Sequence, residues 1–250
     1  MPIKYFRPGT TDECMIQENI FDLARIGRFQ PKQKSIIIDG GAHIGTKTIQ
    51  MAEFFKNVEF YSFEPQPENY DLLVKNTKDF ANVFPRQEGL GVANERLKLY
   101  TCMFRNTISN SSPVIDIPPV TSKYCRLGNT YSQDDYCVID VINTNDFILS
   151  LEQEVFIFKL DLEGYEAKII NENLTAEALK KIKVLLIEQH HEFIDYQKLI
   201  DNGFMFHGSP DYLHDLCPLG EWPSPDMNIQ SLFVREEPFK QQKWVQCSMR

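Results

Sequence analysis

A glycine-rich turn follows the first β-branched run of the chain and is the first candidate for a ligand site. Residues 35–38 lead into Asp39, Gly41 and Gly45 within the sequence IIIDGGAHIG. Glycines allow a sharp turn and a close approach of the backbone to a ligand. With Ala42 in the middle position the turn also fits a relaxed G-x-G-x-x-G, the dinucleotide pattern. A carboxylate at Asp39 would repel a pyrophosphate, whereas it suits the ammonium and sulfonium groups of S-adenosylmethionine.

A second acidic residue, Glu64, ends the next predicted strand in YSFEPQPENY, twenty-five residues after Asp39. A carboxylate at the tip of this strand accepts hydrogen bonds from the ribose hydroxyls of a bound adenosine. Both NAD and S-adenosylmethionine contain that ribose, so Glu64 does not distinguish between them. The alternative is a surface glutamate that opens a turn at Pro65.

The most apolar predicted strand ends in FKLDLEGYE. Lys159 and Asp161 are two residues apart and therefore project from the same face of the strand. A lysine in such a strand is costly unless it is paired or reaches a wet cleft. Glu163 and Glu166 fall at the start of the next predicted helix, where acidic side chains are stabilising on electrostatic grounds alone.

The next strand ends in VLLIEQHH, which places Glu188 and His190 on one face. A histidine held by a carboxylate is a candidate general base, although a surface histidine would look the same. We expect His190, oriented by Glu188, to accept a proton from a substrate hydroxyl, with Asp161 as the second choice. Lys159 could lower the pKa of that hydroxyl or orient the substrate. The acids Asp161, Glu163 and Glu188 could instead hold a divalent ion, which is allowed but not expected.

Strands that alternate with helices position these residues. The pattern predicts strands at residues 35–38, 58–63, 82–87, 96–103, 136–142, 155–160, 184–188 and 229–235, and helices at 45–56, 67–76, 164–171 and 193–201. This alternation predicts an α/β fold with a mostly parallel sheet, and such sheets bind ligands beyond the carboxyl ends of their strands.

The domain prediction is one unit at residues 35–235, with two flanking parts and two irregular segments within it. Residues 1–34 are expected to form a helical or extended cap, and residues 236–250 a C-terminal tail. The aperiodic segments 104–136 and 209–228 are expected to be loops beside the pocket of the acceptor, the molecule on which the protein acts, since long loops in compact domains are often functional.

Composition limits the classes of partner. The chain has 250 residues, of which 26 are basic and 35 acidic, and its net charge is −9. A negative field of this size disfavours nucleic acid or an anionic membrane as the main partner. No apolar stretch approaches the ~20 residues of a membrane span, no secretory signal is visible, and the cysteines lack metal-site spacing. We expect a cytoplasmic protein without a membrane span.

The motifs DGGAHIG, FEPQPENY, KLDLEGYE and LIEQH, in this order, resemble those of the FkbM-type methyltransferases. That family's pattern is close to D-v-G-A-n-x-G, F-E-P-x-P, K-x-D-x-E-G-x-E and E-x-H, and the third motif is the specific one. The resemblance covers roughly residues 35–235. It implies a Rossmann-like class I methyltransferase fold, with a seven-stranded, mostly parallel sheet, helices on both faces and an antiparallel last strand.

The resemblance also implies an activity and a set of site residues. The activity is S-adenosylmethionine-dependent O-methylation, often of sugars, glycan ends or small natural products. The residues implied to line the methionine end of the cofactor are Asp39, Gly41, Ala42 and Gly45. Glu64 would hold the ribose, Glu88 would touch the adenine, and Asp161 would lie between the cofactor amino group and the acceptor. His43, where the family commonly has asparagine, is assigned to loop structure.

Two other functions stay open at this point. The relaxed glycine pattern allows an NAD-dependent oxidoreductase, although 250 residues leave little room for its substrate domain. The chain could also be a non-catalytic protein that binds S-adenosylmethionine. The expected acceptor is a small molecule or a glycan, and the oligomeric state is left open.

Overall fold

The structure, a computed structural model, describes residues 3–10, 12–17, 23–104, 107–109, 129–189, 194–207 and 229–235. The strands in these ranges are β1 (Ile36–Gly40), β2 (Glu59–Phe63), β3 (Val83–Arg86), β4 (Gly89–Gly91), β5 (Glu95–Phe104), β6 (Thr107–Ser109), β7 (Asn129–Asn143), β8 (Val155–Leu160), β9 (Ile182–Gln189), β10 (Phe204–Phe206) and β11 (Ile229–Arg235). The helices are α1 (Asp12–Gln17), α2 (Leu23–Ile26), α3 (Thr46–Phe54), α4 (Pro67–Thr77), α5 (Thr144–Ser150), α6 (Glu166–Lys168), a π-helix (Ile169–Asn173), α7 (Ala176–Lys181) and α8 (Tyr196–Asp201).

The main sheet has seven strands in the order β10-β11-β9-β8-β1-β2-β3. Six of them run parallel, and β11 is antiparallel to both of its neighbours, β9 and β10. The predicted Rossmann-like fold with a reversed last strand is therefore confirmed. β1 lies in the middle, between β8 and β2, so the tips of these three strands are adjacent.

The central strands are apolar because both of their faces are covered. Every residue of β1 and β8 is buried, as expected for inner strands of a parallel sheet flanked by helices. Ile37 contributes to a core cluster with Met51 of α3. Ile38 contributes to a second cluster, which includes Ile170 of the π-helix and Leu179 of α7. Helices therefore cover both faces of the sheet.

A second sheet, of order β4-β7-β5-β6, joins β3 to α5. The prediction of an irregular segment at 104–136 is wrong where Thr107–Ser109 forms β6 and where β7 begins at Asn129. These strands are ordered by a backbone ladder to β5, and such pairing leaves no hydrophobic period in the sequence. The other predicted acceptor-side loop, 209–228, lies outside the described residues, as does the 236–250 tail.

Several short elements had no sequence prediction, namely β4, β10, α5 and α7. The predicted helix at 193–201 begins only at Tyr196, after Asp195, whose side chain accepts from the Lys198 N–H.

In the part of the chain that the structure describes, no helix is both long and apolar enough to cross a membrane.

Candidate active site

The glycine turn after β1 is held between the tips of β2 and β8. The N–H groups of Gly41 and Ala42 donate to the Phe63 carbonyl oxygen at 3.1 and 2.9 Å. Gly41 has a φ of 72°, and a β-carbon there would lie 1.9 Å from the Asp161 carbonyl oxygen. Only glycine fits, because both the conformation and the contact exclude a side chain. The close approach at Gly41 is thus to the protein's own backbone.

The end of the turn leads directly into α3. Gly45, with a φ of 93°, is the residue before this helix, and a β-carbon there would lie 3.0 Å from Leu73 Cδ1. His43 also has a positive φ, of 51°. Asparagine and histidine are enriched among the residues that tolerate this conformation, which accounts for either residue at this place in the turn. Contact of Ala42 and Gly45 with a ligand stays a prediction.

Asp39 is completely buried and forms an ion pair with the lysine of β8. Its Oδ1 lies 3.1 Å from Lys159 Nζ, and its Oδ2 accepts from Thr48 Oγ1 at 2.6 Å. Thr48 Oγ1 is in turn 3.0 Å from Ser62 Oγ on β2. Asp39 therefore supports the turn from inside, and direct contact of its carboxylate with a ligand stays a prediction.

Lys159 joins the turn to the tip of β8. Its Nζ lies 3.2 Å from Asp161 Oδ2 and donates to the carbonyl oxygens of Gly40 and Gly41 at 3.3 and 3.5 Å. The expectation that a lysine in this strand is paired is confirmed. These contacts are all to the protein itself, so a role toward an acceptor stays a prediction.

The charge state of Lys159 is set by the acids around it. Burial alone would lower the pKa of Lys159, but the carboxylates of Asp161 and Asp39, together with Glu188, raise it above its ordinary value. The lysine is therefore a cation at neutral pH. The Asp161 side chain keeps 24% of its surface exposed, whereas that of Asp39 has none.

Glu64, at the tip of β2, accepts hydrogen bonds from three directions. Oε2 accepts from the His43 N–H at 2.8 Å, and Oε1 accepts from the Gln66 N–H at 3.0 Å and from Asn69 Nδ2 at 3.4 Å. Gln66 and Asn69 are placed by the start of α4, where Pro67 is the first helical residue and the Gln66 side chain caps the Asn69 N–H at 2.7 Å.

Burial raises the pKa of Glu64 to about 7, although the hydrogen bonds from Gln66, His43 and Asn69 act in the opposite direction. The negative charge of Asp39 adds to the upward shift. A buried carboxyl with this pKa changes its charge near neutral pH. The fixed carboxylate beside the glycine turn matches the position expected for a ribose acceptor, and that role stays a prediction.

The turn after β8 is shaped by Glu166. This residue is fully buried, and its carboxylate accepts from the N–H groups of Leu162 and Gly164. Glu166 begins α6, whereas Glu163 lies before the helix with a φ of 56°. Glu166 therefore has a structural role, and it holds the turn that carries Asp161.

Glu88 follows β3, where an adenine contact was expected. Its Oε2 accepts from Arg86 Nε at 2.6 Å, and the Arg86 guanidinium lies 5.5 Å from the Phe63 ring centroid and 5.6 Å from that of Phe147. Arginine over aromatic faces is a stabilising arrangement. Glu88 is thus held in place, and its contact with adenine stays a prediction.

His190 and His191 lie outside the described residues. The strand that leads to His190 is anchored at Gln189, whose Oε1 accepts from Tyr196 OH at 2.6 Å. Burial raises the pKa of Tyr196 to about 12, so its hydroxyl stays a donor. The proposed proton acceptor thus follows a well-fixed strand end.

The metal hypothesis for Asp161, Glu163 and Glu188 gains no support from the geometry. Within the described ranges, no group of three or more His, Cys, Asp or Glu side chains is placed to hold a metal ion. The positive charge near Asp161 is that of Lys159.

Sequence reasoning missed several residues that contact the site. Thr48 lies in the helix predicted at 45–56 but was given no role. Asn69 lies inside the FEPQPENY motif but was given no role. Arg7 and Asp12, which reach Asn69 and His43, fall in the predicted cap and carry no motif.

Taken together, the described tips of β1, β2, β8 and β9 carry more acidic than basic side chains. Asp39, Glu64, Asp161 and Glu188 are set against Lys159 alone, which already contacts two of them. Such a set of hydrogen-bond acceptors suits the donors of hydroxyl and ammonium groups, and its negative charge opposes a pyrophosphate.

Comparison with known proteins gives one family and several distant folds. The family model described as "Methyltransferase FkbM domain" matches residues 39–216. No curated protein sequence shows significant similarity to the chain.

Three solved structures illustrate the similarity in fold. Precorrin-6y C5,15-methyltransferase from Geobacter metallireducens is 11% identical, with 84% of this chain and 85% of that chain covered and a TM-score of 0.41. TrmK of M. capricolum, solved with S-adenosyl-homocysteine, is 11% identical, with 91% and 73% covered and a TM-score of 0.44. An rRNA methylase from Streptococcus thermophilus is 9% identical, with 88% and 98% covered and a TM-score of 0.42. At these identities the similarity concerns the fold alone.

Proposed function

Because the chain belongs to the family of methyltransferase FkbM domains, we propose that it uses S-adenosylmethionine to methylate a hydroxyl group of a sugar, a glycan or a small natural product. The observation that carries the cofactor assignment is the carboxylate of Glu64. It lies beside the glycine turn, and the His43 N–H of that turn holds its Oε2. A carboxylate fixed in this way is prepared to accept both ribose hydroxyls of an adenosine.

The ammonium end of the cofactor is assigned to Asp161 rather than to Asp39. Asp39 has no exposed surface and is occupied by Lys159 and Thr48, whereas the Asp161 side chain is partly exposed. Asp39 then acts through Lys159, which holds Asp161 and the carbonyl groups of the turn. The glycine turn lies between Glu64 and Asp161, so the two acids approach a cationic nucleoside from opposite ends.

When bound, S-adenosylmethionine supplies a methyl group on a positively charged sulfur. The chain's own contribution is to align the acceptor oxygen with that methyl group and to remove the hydroxyl proton. Asp161 is partly exposed at the β8 tip, and His190 follows the neighbouring strand end, with Glu188 close by. Either group can take the proton, and general-base assistance of this kind contributes about 10²–10⁴ in rate.

The acceptor class rests on charge and on the resemblance of the motifs. A net charge of −9 opposes a polyanionic acceptor. A neutral sugar or hydroxylated small molecule meets no such repulsion. Acidic residues beside the cofactor also suit an acceptor that offers hydroxyl groups as donors.

Calorimetry with S-adenosylhomocysteine and with NAD tests the cofactor assignment. We expect binding of S-adenosylhomocysteine, a large loss of affinity in Glu64→Gln, and no change in Glu177→Gln, which alters an exposed acid on α7. A preference for NAD would end the methyltransferase proposal.

Transfer of a radiolabelled methyl group tests the reaction. In a panel of sugars, glycans, hydroxylated metabolites and RNA, we expect methylation of a member of the first three classes and none of RNA. His190→Ala and Asp161→Asn distinguish the two candidate bases, since at saturating S-adenosylmethionine only the loss of the true base should reduce turnover to a slow residual rate. His190→Ala should leave the affinity for S-adenosylhomocysteine unchanged, whereas Asp161→Asn should weaken it because Asp161 is assigned to the ammonium group. Methylation of RNA would contradict the acceptor class, and cofactor binding with no transfer to any acceptor would favour a non-catalytic protein.

A further inference from the structure

The N-terminal segment contacts the site through Arg7 and Asp12. Arg7 Nε and Nη2 donate to the two carboxylate oxygens of Asp12, both at 2.9 Å, and the Arg7 N–H donates to Asp12 Oδ2 at 2.8 Å. Asp12 is fully buried, and although burial opposes its ionisation, the Arg7 hydrogen bonds hold its pKa below the ordinary value. The pair is therefore an ionised, bidentate unit, the strong form of such a contact.

From Asp12 the contacts lead to one oxygen of Glu64. His43 Nε2 lies 3.3 Å from Asp12 Oδ1, and the His43 N–H donates to Glu64 Oε2 at 2.8 Å. Burial lowers the pKa of His43 to about 4, so the imidazole is neutral at physiological pH. A neutral imidazole that donates from Nε2 fits the Asp12 carboxylate, and this contact fixes the side chain of a residue whose backbone holds Glu64.

From Arg7 a second path leads to the other oxygen of Glu64. Arg7 Nη2 also donates to Asn69 Oδ1 at 2.6 Å, and Asn69 Nδ2 donates to Glu64 Oε1 at 3.4 Å. The five residues thus form a closed ring, Arg7–Asp12–His43–Glu64–Asn69, in which His43 contacts Asp12 through its side chain and Glu64 through its backbone N–H. Both oxygens of the carboxylate at the β2 tip are held by groups that converge on the N-terminal segment.

The segment is attached to the domain at a second place. The N–H groups of Lys4 and Tyr5 donate to Asn76 Oδ1 at 3.3 and 2.9 Å. Asn76 Nδ2 donates to the carbonyl oxygens of Tyr5 and of Ile44 in the glycine turn, at 2.8 and 2.9 Å. The segment therefore lies along α4 and the turn, and Arg7 is presented to the ring by anchored backbone.

We propose that Arg7 and Asp12 are positioning residues for cofactor binding, which orient the Glu64 carboxylate toward the ribose through His43 and Asn69. The inference rests on the proposed function, because it assumes that Glu64 binds the ribose. Both residues precede residues 39–216, the part of the chain that matches the family model. A segment outside that part thus sets the affinity for the cofactor.

The test is calorimetry with S-adenosylhomocysteine on Arg7→Ala and Asp12→Asn. Each variant should bind about tenfold more weakly, the effect expected for the loss of a coupled hydrogen-bond network. Lys4→Ala is the matched control, because it removes only the exposed ion pair of the same segment with Asp79 and should bind as the wild type does. Arg7→Lys covers the case in which Arg7→Ala does not fold, since lysine can reach Asp12 or Asn69 but not both.

A double-mutant cycle separates positioning from a general loss of structure. In a Glu64→Gln background, Arg7→Ala should cause little further loss of affinity, whereas a merely structural role would cause the same loss in both backgrounds. Unchanged affinity in both Arg7→Ala and Asp12→Asn, while the wild type binds, would overturn the inference and leave the proposed function intact. A wild type that does not bind S-adenosylhomocysteine would instead remove the proposed function. In that case, NMR titration of Glu64 in the ligand-free wild type and Arg7→Ala still tests the ring, and an unchanged Glu64 pKa would overturn it.

Discussion

Protonation of Glu64 should control cofactor affinity near neutral pH. Burial raises the pKa of this carboxyl to about 7, and only the carboxylate accepts hydrogen bonds from two ribose hydroxyls. The competent fraction then falls from about 90% at pH 8 to about 10% at pH 6, so the apparent affinity should fall about tenfold over that range. Each further unit toward acid should weaken binding by another factor of about ten until the neutral form binds equally well.

The perturbation that isolates this effect is Glu64→Gln. Oε1 and Oε2 both face N–H donors, so the amide nitrogen would oppose a donor in either orientation. We expect affinity to fall by about 10- to 100-fold, the range for losing hydrogen bonds to a charged group. The remaining affinity should not depend on pH between about 6 and 8.

Calorimetry from about pH 6 to pH 8, with S-adenosylhomocysteine and with 5′-methylthioadenosine, measures both the affinity and its dependence on pH. The second ligand keeps the ribose and lacks the amino-acid end, so it should show the same slope. A wild-type affinity that is constant over this range, or an equal slope in Glu64→Gln, would refute the assignment of Glu64 to the ribose.

Three further predictions concern the support of the site. Gly41→Ala should destabilise the protein by well over the roughly 1–3 kcal/mol of strain that a positive φ causes, since its β-carbon would lie 1.9 Å from a backbone oxygen. Gly9→Ala is the control for strain alone, because Gly9 has a similar φ of 74° and open space around it. Equal urea midpoints for the two variants would contradict this prediction. Lys159→Met should cost about 3–5 kcal/mol in urea unfolding, because it leaves a buried carboxylate without its cation, and a loss below about 1 kcal/mol would show that the pair is unimportant. In the wild type, the lowered pKa of His43, about 4 against 6.5, makes stability rise with pH between about pH 4.5 and 6.5, and the raised pKa of Glu64, about 7 against 4.5, makes it fall over the same range. His43→Asn removes the first effect, so the free energy of unfolding of this variant should fall with rising pH by up to about 1.4 kcal/mol per unit. The melting temperature of the wild type should accordingly change little with pH in that range. A melting temperature of His43→Asn that is also independent of pH would contradict this prediction.

The sequence predicted the sheet because burial leaves a local pattern. The apolar run of β8, which contains Lys159 and is followed by Asp161, identifies an inner strand and its tip without any knowledge of its neighbours. The second sheet was missed in part because β7 is ordered by its ladder to β5. Backbone hydrogen bonds between strands do not depend on side-chain type, so residues 129–136 carried no signal.

The positions of the acidic site residues were predictable from the sequence, whereas the residues that contact them were not. Glu64 and Asp161 follow strands within recognisable motifs, and their placement at the same edge of the sheet, on either side of β1, follows from parallel topology. The burial of Asp39 was not predictable, because Lys159 meets it only through the β1–β8 register. Arg7 is linked to Glu64 through Asn69 on one path and through Asp12 and His43 on the other, and it lies far from the motifs in the sequence. Contacts that link distant parts of a chain in this way leave no spacing to detect.

The late position of β11 in the chain has a consequence for biosynthesis. This strand fills the gap between β9 and β10, so β9 has an unpaired edge until the ribosome has released residues 229–235. An open apolar edge is a template for pairing with other polypeptides. We therefore expect nascent chains to need chaperone protection until residues 229–235 have left the ribosome. A chain terminated after residue 228 should accumulate in inclusion bodies, and a fully dispersed product in a sedimentation assay would disprove this.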